Sequence, residues 1–167
     1  MEQLLEIYTA NVEEFFVGAI LHETEDYYII NVIDPEGRND GFCCMKKELI
    51  YNIQQNTQYI NRLCKFMDYQ DSEFRDIEGT EIETMNDVYD LLQKDQRYVD
   101  FYIEKDQEII TGIILQNLEE SIIVVSISEY GEMEVKETLD KNEIKVVHYD
   151  GIEHKLMEFL TSQNYRE

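Results

Sequence analysis

Residues 15–53 match residues 109–147 at a constant offset of 94, with nine identities in 39 ungapped pairs. The identical pairs are Gly18 and Gly112, Ile20 and Ile114, Leu21 and Leu115, Glu25 and Glu119, Ile29 and Ile123, Ile33 and Ile127, Gly37 and Gly131, Lys47 and Lys141, and Ile50 and Ile144. A pattern repeated at a fixed spacing indicates that one structural unit was copied. The duplication therefore predicts two small units of similar architecture.

The length of 167 residues supports the same division. Each copy alone would bury only a modest core, so we expect the two copies to share an interface. We predict a first repeat over 1–67, an acidic connector over 68–83 and a second repeat over 84–167. The connector is assigned because it is rich in acids, contains a glycine and lacks a clear apolar period.

Each repeat is predicted to contain a bent antiparallel sheet between two helices. The spacing of Leu4, Leu5 and Tyr8 fits a short N-terminal helix, and the apolar residues from Val88 onward fit a second one. Gly18 lies inside an apolar strand, where glycine marks a bulge or a tight bend.

A helix is also predicted at the C-terminal end of each repeat. Asn56 or Thr57 can cap the first, whose apolar face is predicted to hold Ile60, Leu63, Phe66 and Met67. The last helix is predicted to use Ile152, Leu156, Phe159 and Leu160. Because Leu156 and Phe159 match Leu63 and Phe66 at an offset of 93, we expect a slip of one residue before this helix.

The segment 101–114 has an apolar-alternating strand, a polar turn and a strand that contains Gly112. This arrangement resembles the opening of an Sm-type motif, and the repeat as a whole resembles the small SH3-like and Sm-like barrels. The resemblance implies a mainly β fold with flanking helices: two copies of a small bent antiparallel barrel, each with an N-terminal and a C-terminal helix. The loop 117–121 departs from the RNA-reading pattern of Sm proteins and no Arg-Gly follows it, so none of the RNA-binding residues is carried over.

The charge excludes several partners. With 37 acidic residues against 14 Lys and Arg, the net charge is −23. Such a field repels phosphate backbones and anionic membranes, so neither nucleic acid nor a membrane is expected as a partner. The acidic start of the chain does not fit a signal peptide, and three cysteines without a C-x-x-C spacing fit reduced thiols, so we predict a cytoplasmic protein.

No catalytic, cofactor or metal motif emerges from the spacing of reactive residues. His148 and His154 straddle a turn and a helix start, which favours structural or surface histidines over a ligand pair. The glycines form no phosphate-binding loop, and the connector acids do not follow the order of an EF-hand. We therefore predict no catalytic residue, cofactor or metal.

The sequence instead favours a non-enzymatic module that binds a basic protein, as an immunity or inhibitor protein does. The predicted partner-binding residues are the connector acids Asp71, Glu73, Asp76, Glu78, Glu81 and Glu83. Two alternatives stay open: an enzyme or small-ligand-binding protein with a site at the seam between the repeats, and a bacterial housekeeping adaptor. The sequence does not determine the oligomeric state.

Overall fold

A computed structural model of the chain describes residues 3–9, 15–72, 74–75, 82–104 and 108–164. The chain divides into two compact units, Met1–Thr80 and Glu81–Glu167. The finer boundaries predicted above, with a connector over 68–83, remain a prediction.

Among its described residues, the first unit contains five strands and one helix. In chain order they are β1 Leu5–Thr9, β2 Phe15–Glu23, β3 Tyr27–Ile33, β4 Asn39–Lys46, β5 Ile50–Gln54 and α1 Gln58–Gln70, with one 3₁₀ turn at Lys47–Leu49. The strands follow the order β5-β1-β2-β3-β4, and the pairs between neighbours are antiparallel. Helix α1 packs on this sheet through a buried cluster of Leu4, Val17, Ile33, Ile60, Leu63 and Met67.

Over the part of the second unit that the structure describes, there are five strands and two helices. In chain order they are α2 Met85–Lys94, β6 Tyr98–Ile103, β7 Glu108–Asn117, β8 Ser121–Ile127, β9 Met133–Asp140, β10 Ile144–Tyr149 and α3 Ile152–Asn164. Its strand order is β10-β6-β7-β8-β9, again antiparallel between neighbours. A buried cluster of Tyr98, Ile113, Val125 and Ile127 packs with the half-buried Leu115 and Met157.

The strand register is the same in the two units at the offset of 94. Leu5 pairs with Gly18 in the first unit, and Val99 pairs with Gly112 in the second. The bulge between Ile20 and His22 recurs between Ile114 and Gln116. Corresponding residues of the two units therefore have the same partners along these strands.

The two strand glycines occupy positions where the neighbouring backbone leaves no room for a side chain. A Cβ atom on Gly18 would lie 2.3 Å from the carbonyl oxygen of Asn31. On Gly112 it would lie 2.5 Å from the carbonyl oxygen of Val125. Each glycine thus permits the close approach of the next strand.

The predicted fold class is wrong. Over the described residues the chain forms antiparallel sheet from ten strands, with three helices, and not two SH3-like or Sm-like barrels each flanked by two helices. Within the first unit β5 and β4 stand at opposite ends of the strand order, and within the second β10 and β9 do. A barrel closes only when its end strands pair with each other, so each unit is an open sheet by itself.

The helix predicted at the N-terminus is also wrong, because Leu5–Thr9 forms strand β1. This strand lies between β2 and β5 and pairs with both, and Ile7 is fully buried. The backbone hydrogen bonds of a central strand outweigh a helical spacing that extends over only one turn. None of the described helices is both long enough and apolar enough to cross a membrane.

The one-residue slip predicted before the last helix does not occur. Helices α1 and α3 begin and end at the same offset of 94 as the strands. The buried positions of α1, Ile60 and Met67, therefore correspond to His154 and Thr161, which are buried in α3. Leu156 and Phe159, predicted on the apolar face, are 46% and 57% exposed.

Candidate functional site

Three side chains that carry metal-binding or acid–base chemistry converge in the second unit. Asp100 lies on β6 directly opposite His148 on β10. His154 lies in the first turn of α3, which begins three residues after β10 ends. The antiparallel pairing of β6 with β10 therefore places one carboxylate beside two imidazoles, and we call Asp100, His148 and His154 the Asp–His cluster.

The cluster is compact and mostly buried. The Nε2 atom of His154 lies 3.2 Å from the Oδ2 atom of Asp100, and the Nδ1 atom of His148 lies 3.9 Å from the same oxygen. The two imidazole rings meet edge to face with centroids 5.0 Å apart. The His154 side chain is 2% exposed, whereas those of Asp100 and His148 are 19% and 18% exposed.

Two further contacts orient these side chains. The hydroxyl of Thr111 donates a hydrogen bond of 2.6 Å to the Oδ1 atom of Asp100, which leaves Oδ2 directed toward the histidines. The backbone N–H of Gly151 donates a hydrogen bond of 2.9 Å to the Nδ1 atom of His154. His154 thus accepts a hydrogen bond from a backbone N–H at the start of α3, as the third residue of a capping box does.

The Nε2 atom of His154 is not fully satisfied by this arrangement. Its 3.2 Å contact with Asp100 falls short of hydrogen-bond geometry, and it is a buried polar atom without a hydrogen-bond partner among the described residues. Native proteins pair most such atoms, so this one marks a position where a ligand or a small rearrangement would be favourable.

The electrostatics of the cluster favour a charged carboxylate. Burial acts to raise the pKa of Asp100, but the polar contacts from His154 and Thr111 and the nearness of both imidazoles outweigh it. The pKa of Asp100 therefore lies below its ordinary value, and its carboxylate is negative at neutral pH. A buried anion with two imidazoles beside it suits a cation better than it suits an anionic ligand.

The corresponding position in the first unit also holds an acid, but its hydrogen-bond partners are different. Glu6 corresponds to Asp100, and it is paired with Gln54 as Asp100 is with His148. The hydroxyls of Thr57 and Tyr8 donate hydrogen bonds to its two carboxylate oxygens. Both carboxylate oxygens of the acid in the first unit therefore accept hydrogen bonds from hydroxyls, whereas the acid of the second unit faces two imidazoles.

Only two of the six predicted partner-binding acids fall among the described residues. Asp71 ends α1 in a left-handed conformation with φ of 57°, and Glu83 precedes α2; both are exposed. Glu73, Asp76, Glu78 and Glu81 lie outside the described residues. The role of these six acids stays a prediction.

A second surface, absent from the sequence prediction, covers the turn between β8 and β9 and the first three residues of β9. These residues, 128–135, are called the hairpin surface, and they include both exposed apolar side chains and exposed acids. Tyr130, Met133 and Val135 are 68%, 49% and 62% exposed. The acids between and beside them are Glu129, Glu132 and Glu134.

Sequence reasoning missed the Asp–His cluster because its members are far apart along the chain. The spacing of the two histidines by itself favours surface or structural roles, and it gives no connection with Asp100. The comparison of the two repeats could have revealed the cluster. At the offset of 94, the second repeat has His148 where the first has Gln54, and His154 where the first has Ile60. Two such replacements near one acid indicate a local change in chemistry.

Comparison with known proteins adds no identification. No protein-family model matches the chain, and no curated protein matches it significantly.

Proposed function

We propose that the protein is a non-enzymatic binding module that captures a basic protein, as an inhibitor or immunity protein does. The observation that carries this proposal is the net charge of −23, spread over a folded chain that is 43% hydrophobic. A charge of this size steers cationic partners toward the surface and speeds their association at low ionic strength.

The hairpin surface supports the proposal with a local site. Charge alone brings partners close, whereas stable binding requires apolar contacts that exclude water. The hairpin surface offers three exposed apolar side chains and three acids within eight residues, with no Lys or Arg among them. Its chemistry suits a partner segment that alternates basic and apolar residues.

The backbone of β9 supports the same mode of binding. Among the described strands of its unit, β9 is hydrogen-bonded to β8 and stands at the end of the strand order. An edge strand presents backbone donors and acceptors that an extended segment can pair with. We therefore infer that a basic segment of the partner adds to β9 as a further strand.

The connector acids form the second part of this proposal. Asp71, Glu73, Asp76, Glu78, Glu81 and Glu83 would attract the same cationic partner without apolar contacts. Their contribution should be mostly to the association rate and should weaken strongly with salt.

The experiment uses a fluorescein-labelled peptide of alternating Lys and Val, with a Glu–Val peptide as the charge-reversed control. Its affinity for the full chain is measured by fluorescence anisotropy at low and at physiological salt. Three variants are compared: the hairpin triple E129Q/E132Q/E134Q, a connector variant with all six acids changed to amides, and the triple E25Q/E119Q/E120Q. The two triples change the net charge equally, and Glu25, Glu119 and Glu120 are exposed loop acids outside both surfaces.

We expect the Lys–Val peptide to bind and the Glu–Val peptide not to bind. The hairpin triple should lose about tenfold in affinity, and the control triple about twofold or less. Equal losses in the two triples would contradict the hairpin site and leave only a diffuse charge effect. Absence of binding at low salt, or binding that ignores salt, would contradict the proposed function itself.

A further inference from the structure

We propose that Asp100, His148 and His154 bind one divalent transition-metal ion, and that Zn²⁺ is the ion best suited to them. Two imidazoles and one carboxylate are ligands that zinc and neighbouring metals prefer, whereas magnesium and calcium prefer oxygen alone. The proposal concerns a site that is independent of the hairpin surface and of the charge argument.

The distances within the cluster support this assignment. Metal–ligand bonds of about 2.0–2.2 Å place neighbouring ligand atoms of a tetrahedral zinc site about 3.4 Å apart. The two contacts to the Oδ2 atom of Asp100 measure 3.2 and 3.9 Å, and all three ligand atoms lie within 4.8 Å of one another. Side-chain rotations that move the ligand atoms by about 1 Å or less would bring all three to the separations of a zinc site.

The buried Nε2 atom of His154 is the independent observation that points to a ligand. It lies in a side chain that is 2% exposed, it faces Asp100, and it has no hydrogen-bond partner among the described residues. A metal ion between this nitrogen and the carboxylate would satisfy both groups. It would also neutralise a negative charge that is largely buried.

The second unit differs from the first in the residues that a metal site requires. Gln54 and Ile60 of the first unit correspond to His148 and His154, and Val17 corresponds to Thr111. Thr111 fixes the carboxylate by its bond to Oδ1, which is the outer-sphere support that metal-binding carboxylates usually receive. The first unit forms the same strand pairs without these residues, so the strand arrangement alone does not require them.

One feature of His154 opposes metal binding and limits the affinity. Its Nδ1 atom accepts the Gly151 N–H, so the neutral ring carries its proton on Nε2. A metal at Nε2 must displace that proton to Nδ1 and break the bond from Gly151. Loss of this hydrogen bond leaves the buried Gly151 N–H without its acceptor and weakens binding by about 5- to 150-fold, which lowers the affinity of a three-ligand site without abolishing it.

The site is accessible and would leave one coordination position open. Asp100 and His148 retain partial exposure of their side chains, which gives an ion a route from solvent. Three protein ligands leave the fourth position of a tetrahedral metal to water or to a side chain of another molecule.

The test measures Zn²⁺ affinity by competition with a chromophoric chelator, with millimolar Mg²⁺ present to occupy surface carboxylates. Co²⁺ serves as a spectroscopic probe, because tetrahedral cobalt with nitrogen ligands absorbs strongly in the visible range. The variants H148Q and H154I introduce the residues of the first unit. The matched control is H22Q, which removes the exposed third histidine of the chain.

We expect one Zn²⁺ per chain, a loss of at least about 100-fold in H148Q and in H154I, and a change of about twofold or less in H22Q. Circular dichroism shows whether each variant is folded. If H154I does not fold, H148Q still decides the test, because its position is partly exposed. The proposal is overturned if the wild-type protein gives no tetrahedral Co²⁺ spectrum. It is also overturned if folded H148Q binds Zn²⁺ like the wild type, or if H22Q loses binding.

Discussion

Single residues determine where the strands of each unit can approach one another. Gly18 and Gly112 occupy corresponding positions, and each lies against a backbone carbonyl of the neighbouring strand. Those contacts involve backbone atoms, which cannot move aside as a flexible side chain can. The glycines are therefore required by packing, independently of any turn.

Replacing either strand glycine by alanine should destabilise the protein. The added Cβ would overlap a carbonyl oxygen, and overpacking of this kind costs about 1–3 kcal/mol or more. Chemical denaturation of Gly18→Ala and Gly112→Ala measures the free energy of unfolding. Thr138→Ala, at an exposed position of β9, should change it by about 0.5 kcal/mol or less. A glycine variant as stable as this control would show that the strands separate without cost.

Burial also determines the reactivity of the cysteine thiols. Burial raises the pKa of Cys43 to about 12 and raises that of Cys44 well above its ordinary value. Cys64 on α1 is half-buried. Because the thiolate is the reactive form, the two strand cysteines should be inert near neutral pH.

Thiol labelling of the native protein at pH 8 should therefore modify Cys64 and spare Cys43 and Cys44. The Cys64→Ser variant should not react until it is unfolded, when two thiols become accessible. The raised pKa also predicts that stability falls as pH rises from about 9, where unfolded thiols ionise, toward about 12. Rapid modification of three native thiols would contradict the burial of the pair on β4.

At the scale of elements, the two C-terminal helices use equivalent positions with different chemistry. Helix α1 buries Ile60, Leu63 and Met67 against its sheet. In α3 the corresponding positions hold His154, Met157 and Thr161, and Thr161 donates a hydrogen bond of 3.0 Å to the Gly131 carbonyl. Helix α3 thus packs through a partly polar face and leaves Ile152, Leu156 and Phe159 exposed.

Truncation of one leucine in each helix should separate these two modes of packing. Leu63 is 2% exposed, so Leu63→Ala should cost about 2–5 kcal/mol of unfolding free energy. Leu156 is 46% exposed, so Leu156→Ala should cost about 0.5 kcal/mol or less. Urea denaturation of the two variants is the measurement. A large loss of unfolding free energy in Leu156→Ala would show that this side chain is buried in a core. It would then support the predicted one-residue slip before α3, in which Leu156 corresponds to Leu63.

For the molecule as a whole, the net charge of −23 opposes compaction. Like charges repel within the folded chain, and salt screens this repulsion over about 10 Å at 0.1 M. The repulsion is independent of which partner the protein binds.

The melting temperature should therefore rise as NaCl is increased from low concentration to about 0.2 M. The variant with six neutralised connector acids should show a smaller rise, because it carries less charge. Calorimetry with NaCl and KCl in parallel separates screening from effects of a particular ion. A melting temperature that falls with either salt would show that favourable ion pairs dominate over the repulsion.

The local pattern of the sequence predicted the strand that contains Gly18, the two strands within 101–114 and the Thr57 cap of α1. It failed at β1, where Leu4, Leu5 and Tyr8 fit a helical spacing although the backbone pairs with two strands. Periodicity reports which side chains face a core, and over five residues it does not distinguish a helix from a central strand. The predicted closure into barrels failed for a related reason, since sequence similarity to a motif does not specify which end strands pair.

The sequence by itself determined the repeat and the charge, because these depend on composition and on spacing along the chain. Only the tertiary structure decided that Asp100, His148 and His154 meet, and that α3 turns its apolar stripe outward. The physical reason is that strand pairing brings together residues distant in sequence, and the resulting contacts depend on register and not on local propensity.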